Sequence, residues 1–169
     1  MHDPQPTGDF QWLTSSELQA MEREYWENDG DSIPAFGEVG YVLECDLEYS
    51  DHMKLFFADY PPLCEKRTVS LNELSPHTQN LGESYGICTS GIGKTPKLIA
   101  DLSNKIRYKL HYRNLALLLQ IGVKLLRIRS GIRFKQSTFL RSYIDLNTEL
   151  RKSSTDNFSK TFYKLLNNS

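Results

Sequence analysis

The segment Gly40–Tyr49 constrains the fold most, because apolar and polar residues alternate along it. A period of two is typical of a β-strand that buries one of its faces. A second segment, Val123–Arg129, alternates apolar with basic residues and predicts a strand with one charged face. The pattern in the first segment places these residues on the buried face: Tyr41, Leu43, Cys45 and Leu47.

Helical patterns lie before, between and after these strands. Thr14 is followed three residues later by Glu17, a capping-box signature that predicts a short helix reaching Tyr25. The other helices are expected at Asn114–Ile121 ended by Gly122, at Thr138–Arg151 begun by Ser137, and after a cap formed by Ser153–Asp156.

Residues 59–96 are interrupted by proline and glycine and are predicted to form a long irregular loop. Within it, Gly91–Thr95 partly resembles a phosphate-binding loop. Cys88 stands where the full pattern requires glycine, and Pro96 follows where a helix should already run. We therefore do not assign a phosphate-binding loop.

Charge is distributed very unevenly along the chain. Residues 1–95 hold 17 acidic side chains against 5 Lys and Arg, whereas residues 96–169 hold 4 against 15. Two explanations remain open at this stage. Either the two regions pair with each other, or the basic region faces the phosphates of a nucleic acid.

Outside the C-terminal helix, the residue patterns that could indicate a binding or metal site are weak. Glu44, Asp46 and Glu48 share one strand face and could hold Mg²⁺, or they could form the solvated face of an edge strand. The three cysteines are scattered and indicate neither a disulfide framework nor a zinc site. His111-Tyr112-Arg113 combines rings and cations that suit base stacking and phosphate contact, although Tyr112 could equally belong to the core.

The C-terminal segment predicts an amphipathic helix. Phe158, Phe162, Leu165 and Leu166 fall on one face, and Lys160, Lys164 and Asn168 fall on the opposite face. Such a lysine row can contact a polyanion, but it can also be an ordinary solvated surface. Arg151 and Lys152 extend the basic set at the end of the preceding helix.

Lys164-Leu-Leu-Asn-Asn-Ser169 resembles the start of the fingers motif of family B DNA polymerases, Lys-x-x-x-Asn-Ser-x-Tyr-Gly. The likeness is to the protein-primed branch, especially the polymerases of Maverick/Polinton-type transposons and related viruses. Further segments carry the same resemblance in the same order: Pro4–Gly8, Asp9–Leu13, Gly40–Tyr49, Asp59–Pro61, Leu110–Leu115 and Tyr143–Lys152.

The resemblance implies roles for individual residues. Lys164 and Lys152 would contact the incoming triphosphate, with Asn168 and Ser169 near the nucleotide. Contacts with template–primer DNA are expected from His111, Tyr112, Arg113, Arg151 and Lys160. The family's two metal-binding aspartates fall outside the matched segments, so Mg²⁺ is expected in an intact polymerase, and this chain alone is expected to be inactive.

The expected fold is α+β, a partial palm with an inserted subdomain plus fingers helices. Residues 1–95 would form an acidic palm and insertion segment, residues 96–169 a basic segment with the fingers, and the insertion would lie roughly within residues 36–126. The expected partners are DNA, dNTP and a terminal priming protein, in an intracellular compartment and without a membrane. The alternative is a non-catalytic nucleic-acid-binding or interaction module derived from a mobile element.

Overall fold

The structure is a computed structural model that describes residues 3–28, 33, 37–85 and 95–168. Its mixture of strands and helices confirms the α+β class. The strands are β1 (Gln5–Trp12), β2 (Val39–Glu48), β3 (Cys64–Arg67), β4 (Lys97–Ala100), β5 (Lys105–His111) and β6 (Lys124–Ser137). The helices are α1 (Ser15–Glu27), α2 (Asp51–Phe56), α3 (Pro76–Ser84), α4 (Tyr112–Gln120), α5 (Arg141–Ser153) and α6 (Asn157–Asn168).

The chain forms two compact units that do not follow the charge boundary. The first combines residues 1–47 with 106–169 and contains a four-stranded sheet in the order β1-β6-β2-β5. The second spans residues 48–105, contains the antiparallel pair β3-β4, and lies inside the range expected for an insertion. None of the described helices is both long and apolar enough to cross a bilayer.

Strand β2 forms as its alternation predicts. Leu43, Cys45 and Leu47 are fully buried, because the pleat turns every second side chain toward the helices. Burial, followed by the nearby Asp46 carboxylate, raises the pKa of the Cys45 thiol to about 12, so this thiol stays protonated. The core of the first unit also contains Tyr25 of α1, Tyr112, Leu115, Leu118 and Leu119 of α4, and Leu125, Ile128 and Phe134 of β6.

Helix α1 begins with the capping box that the sequence predicts. The backbone N–H of Glu17 donates to Thr14 Oγ1 at 3.3 Å, and the Glu17 carboxylate accepts from the Thr14 N–H at 2.8 Å. These two bonds satisfy backbone donors that would otherwise lack partners at a helix start. The expected start of α1 is therefore confirmed.

Replacing Thr14 with Ala is expected to lower the free energy of unfolding by about 1 kcal/mol, since the cap loses its side-chain acceptor. Urea denaturation followed by circular dichroism measures the change. Ser142→Ala, at an exposed position of α5, serves as the control and should leave the midpoint nearly unchanged. Equal midpoints for both variants would show that the cap does not contribute.

The end of β6 and the start of α5 differ most from the sequence prediction. Gly122, with a φ of 98°, does follow the end of α4 as expected. Strand β6, however, continues to Ser137, because β1 pairs with it along its C-terminal half and the Gln136 N–H donates to the Glu38 carbonyl. Helix α5 consequently begins at Arg141, three residues later than expected.

The prediction of an irregular loop over residues 59–96 is wrong for its described part. Strand β3, a 3₁₀ turn at Leu71–Glu73 and helix α3 lie there, and β3 pairs with β4 from Cys64↔Ala100 to Arg67↔Lys97. Charged side chains support this pair of short strands. Arg67 bonds Glu73 at 2.6 Å and Asp101 at 2.8 Å.

Lys105 is the buried centre of the second unit's charge network. Its side chain is 0% exposed, and its Nζ donates to Asp101 Oδ1 at 2.5 Å, to Ser103 Oγ at 3.1 Å and to Glu65 Oε1 at 3.2 Å. An ammonium removed from water requires such a full set of acceptors. The geometry of this unit therefore depends on a few carboxylates.

Candidate nucleic-acid interface

Helices α5 and α6 form an antiparallel hairpin joined by a three-residue connection. The connection caps both ends: Ser154 Oγ donates to the Leu150 carbonyl at 2.7 Å, and Asp156 Oδ1 accepts from the Ser159 N–H at 2.8 Å. The expected cap before the last helix is therefore confirmed. These two bonds satisfy backbone groups at the helix ends that meet the connection.

Two polar contacts define how the helices face each other. Asn167 Nδ2 donates to Thr148 Oγ1 at 3.2 Å, and the Tyr143 hydroxyl donates to the Leu166 carbonyl at 3.4 Å. Ile144 is buried on the α5 side of this contact. At 100° per residue these contacts divide the hairpin surface into two broad sides.

One side of the hairpin is basic. Helix geometry places Lys152 of α5 on the same side as Lys160 and Lys164 of α6, and Asn168 lies one turn beyond Lys164. All four side chains are exposed. The structure thus brings the two lysines that the resemblance assigns to the triphosphate onto one surface, together with a third lysine.

The three lysines differ in their partners. Lys152 Nζ bonds Glu149 Oε1 at 2.8 Å, and this hydrogen bond raises the pKa of the lysine. Among the described residues, neither Lys160 nor Lys164 has an ion pair within 4 Å. Arg151 is exposed in the last turn of α5, where a cation complements the helix dipole. Ser169 lies outside the described residues.

The other side of the hairpin is apolar and exposed. Phe158, with 79% of its surface exposed, stacks against Phe162 at a ring-centroid distance of 6.4 Å, and Leu165 follows on the same side. Of the apolar set that the sequence groups together, Leu166 alone is half-buried, and its backbone carbonyl accepts the Tyr143 hydroxyl of α5. The amphipathic pattern of α6 is confirmed. The face of α6 that packs on α5 lies between its basic side and its apolar side.

The His111-Tyr112-Arg113 group serves the fold. Tyr112 is fully buried and its hydroxyl accepts a bond from Gln136 Nε2 at 2.9 Å, which favours the core-packing alternative over base stacking. His111 caps α4 by accepting the Arg113 N–H on Nδ1 at 3.4 Å, and burial and then the Arg113 charge lower its pKa. Arg113 pairs with Asp3 at 3.3 Å.

The carboxylates of β2 face cations, not a metal site. Asp46 accepts from Arg129 Nε at 2.8 Å and from the Arg107 N–H at 2.9 Å, whereas Glu44 accepts from Arg107 Nε at 3.0 Å. The Arg129 bond is the largest cause of the lowered pKa of Asp46, and the Arg107 bond is the largest cause for Glu44.

Both sequence interpretations of these carboxylates are therefore corrected. Strand β2 lies between β6 and β5, so it is no edge strand, and Glu44 and Asp46 are buried. Their oxygens are already bonded to arginines, which does not fit a Mg²⁺ site. No group of three or more metal-ligating side chains occurs among the residues that the structure describes.

Ion pairs across the charge boundary explain part of the uneven charge. Five pairs within the first unit join an acidic residue before position 95 to a cation after it, which supports the explanation that the two regions pair with each other. They are Asp3–Arg113, Asp9–Lys135, Glu17–Arg133, Glu44–Arg107 and Asp46–Arg129. The cations of the hairpin take no part in these pairs, so nucleic-acid contact remains a role for them.

Sequence reasoning missed the arginine-rich part of the sheet. The alternating basic residues of Val123–Arg129 indicated a charged face, but nothing local linked Arg129 to Asp46, which lies 83 residues away.

A comparison of the chain with family models, curated proteins and solved structures finds no match in any of the three.

Proposed function

We propose that this chain is part of a DNA-directed DNA polymerase of family B, protein-primed branch, and that it contacts incoming dNTP and template–primer DNA. The observation that carries the proposal is the basic side of the hairpin. Lys152, Lys160 and Lys164 share that side, and two of them occupy the positions at which the resemblance expects cations on the triphosphate.

The chemistry of nucleotidyl transfer gives these cations a purpose. Charge develops on the triphosphate and on the leaving pyrophosphate, and fixed positive groups offset it without reorganising in the transition state. Lys164 is exposed and supplies a compact positive charge that can contact phosphate oxygens. Lys152 exchanges a solvent-exposed bond to Glu149 for a phosphate contact, and such surface pairs are weak.

The proposed role is to bind and position substrate. The resemblance expects the metal-binding aspartates outside the segments that carry it. The buried carboxylates of β2 do not replace them, because they are already bonded to arginines. A terminal priming protein is a further expected partner of the intact polymerase. The second candidate function, a non-catalytic nucleic-acid-binding module, is favoured by the same lysine row, since binding requires no catalytic centre.

The test uses the 169-residue chain and a fluorescent primer–template duplex. Lys160→Gln combined with Lys164→Gln is expected to weaken binding several-fold and to reduce the slope of log affinity against log salt by about 1, because Lys160 is the member of the pair assigned to the duplex. The matched control is Lys66→Gln with Lys97→Gln, which removes two exposed lysines from the β3–β4 pair. Equal affinity and equal slope for the two double variants would contradict the proposed role of the hairpin.

A further inference from the structure

A second surface with exposed cations lies on the four-stranded sheet. A groove of about 580 Å³ is lined there by Trp12, Glu44, Arg107, Lys109, Arg129 and Ser130. All six belong to the first compact unit, and none is among the residues that the family resemblance assigns to nucleotide or DNA. We propose that this groove binds single-stranded DNA, with Trp12 stacking on a base and Arg107 and Lys109 contacting phosphates.

The two arginines are held in place by buried carboxylates. The Glu44 carboxylate accepts hydrogen bonds from Ser130 Oγ and Arg107 Nε. The Asp46 carboxylate accepts from Arg129 Nε and pairs with Arg129 Nη2 at 2.7 Å. Arg107 uses only Nε for its ion pair, while 67% of its side chain is exposed. Its Nη groups therefore remain available to phosphate oxygens, in the planar geometry that suits forked hydrogen bonds.

The backbone of Arg107 supports a purpose beyond packing. Its φ is 58°, in the left-handed region that a non-glycine residue rarely adopts. The bond from its N–H to Asp46 holds that conformation. Backbone strain that the surrounding structure maintains is characteristic of functional sites, and here it accompanies an exposed guanidinium.

Trp12 distinguishes a single strand from other polyanions. Trp12 is the last residue of edge strand β1, and 72% of its surface is exposed. It lines the groove together with the exposed cation Lys109. Exposed aromatic rings beside cations provide stacking surfaces for unpaired bases of any sequence. An acidic peptide would use the cations but would gain little from the indole ring.

This inference rests on the proposed function for the identity of the ligand, but the groove is a different surface from the lysine row of the hairpin. The experiment titrates the 169-residue chain with a 20-nucleotide oligo-dT and follows tryptophan fluorescence. Trp12 and Trp26 are the two tryptophans. Quenching is expected in Trp26→Phe and is expected to be lost in Trp12→Phe, because only Trp12 stacks on the bases.

Affinity provides the second readout. Trp12→Ala is expected to weaken oligo-dT binding about tenfold. Lys109→Gln is expected to reduce the log–log salt slope by about 0.7, the value for one contact with a single strand. Lys66→Gln is the matched control and should bind as the unaltered chain does. Circular dichroism melts establish that each variant is folded.

Several outcomes would overturn the inference. Unchanged oligo-dT affinity in both Trp12→Ala and Lys109→Gln is one, and equal quenching by a poly-glutamate peptide or by fully paired duplex is another. If Lys160→Gln with Lys164→Gln weakens duplex binding while the groove variants keep their oligo-dT affinity, the groove fails and the proposed function stands. If the groove variants lose oligo-dT affinity while the lysine double variant keeps its duplex affinity, the inference holds and the hairpin role fails.

Discussion

Replacing Asp101 with Ala is expected to destabilise the second compact unit by about 3–5 kcal/mol, the usual effect of removing one partner from a buried ion pair. Lys105 Nζ would lose its nearest acceptor, at 2.5 Å, while its side chain remains 0% exposed. Arg67 would lose a bond of 2.8 Å at the same time. Such a loss is a large fraction of the stability of a small domain.

The pKa of Asp101 is consistent with this expectation. Burial acts to raise it, but hydrogen bonds from Lys105, Ser103 and Arg67 together hold it well below its usual range. A lowered pKa in the folded state means that this carboxylate stabilises fully above the unfolded carboxyl pKa of about 4. The contribution is lost only when the pH falls through the lower folded value.

Hydrogen exchange of the backbone amides in β3 and β4 measures the effect locally. Asp51→Ala is the control, because it removes an exposed carboxylate whose bond to Lys54, at 3.2 Å, lies in solvent. Adding Lys105→Met to Asp101→Ala should restore part of the protection, since no unpaired ammonium then remains buried. Equal protection in Asp101→Ala and Asp51→Ala would contradict the importance of the network.

The second large effect is expected at Lys164. In a polymerase that contains this segment together with both aspartate motifs, Lys164→Ala should lower kcat/KM for dNTP by about 10²–10³-fold, as removal of one fixed charge-stabilising group does. The affinity for primer–template DNA should change little, because the lost contact is to the nucleotide. Single-nucleotide incorporation kinetics provide the measurement.

A control for this variant comes from the same helix. Lys160→Ala, one turn away, is assigned to DNA and should affect the affinity for primer–template DNA more than dNTP use. Unchanged kinetics with all four dNTPs in Lys164→Ala would rule out the assigned role. An equal loss of DNA affinity in both variants would make the lysine row a general DNA contact.

The sequence predicts those elements whose signals are local. The alternation of Gly40–Tyr49 identifies both β2 and its buried face, and Thr14 with Glu17 locates the start of α1. Each signal lies within a few residues, where periodicity and capping act. The two helices of the hairpin are predicted for the same reason, together with the lysine row of α6, but their packing against each other is not.

Features that depend on distant partners were not predictable. Strand β3 has four residues, too few for a period, and it forms because it pairs with β4 across an intervening segment. The role of Asp46 depends on Arg129, and the burial of Tyr112 depends on packing in the core. Side-chain type alone could not decide between a metal ligand and an anchor for arginine.

The central claim is that the cations of the hairpin, which take no part in the ion pairs across the charge boundary, bind DNA phosphates. Fluorescence anisotropy of the 169-residue chain with a primer–template duplex, repeated across a series of salt concentrations, tests it most directly. The log of the affinity is expected to fall linearly with log salt, by about 0.9 for each phosphate contacted. A flat response, or no binding at low salt, would contradict the claim and leave the pairing of acidic with basic regions as the full explanation of the uneven charge.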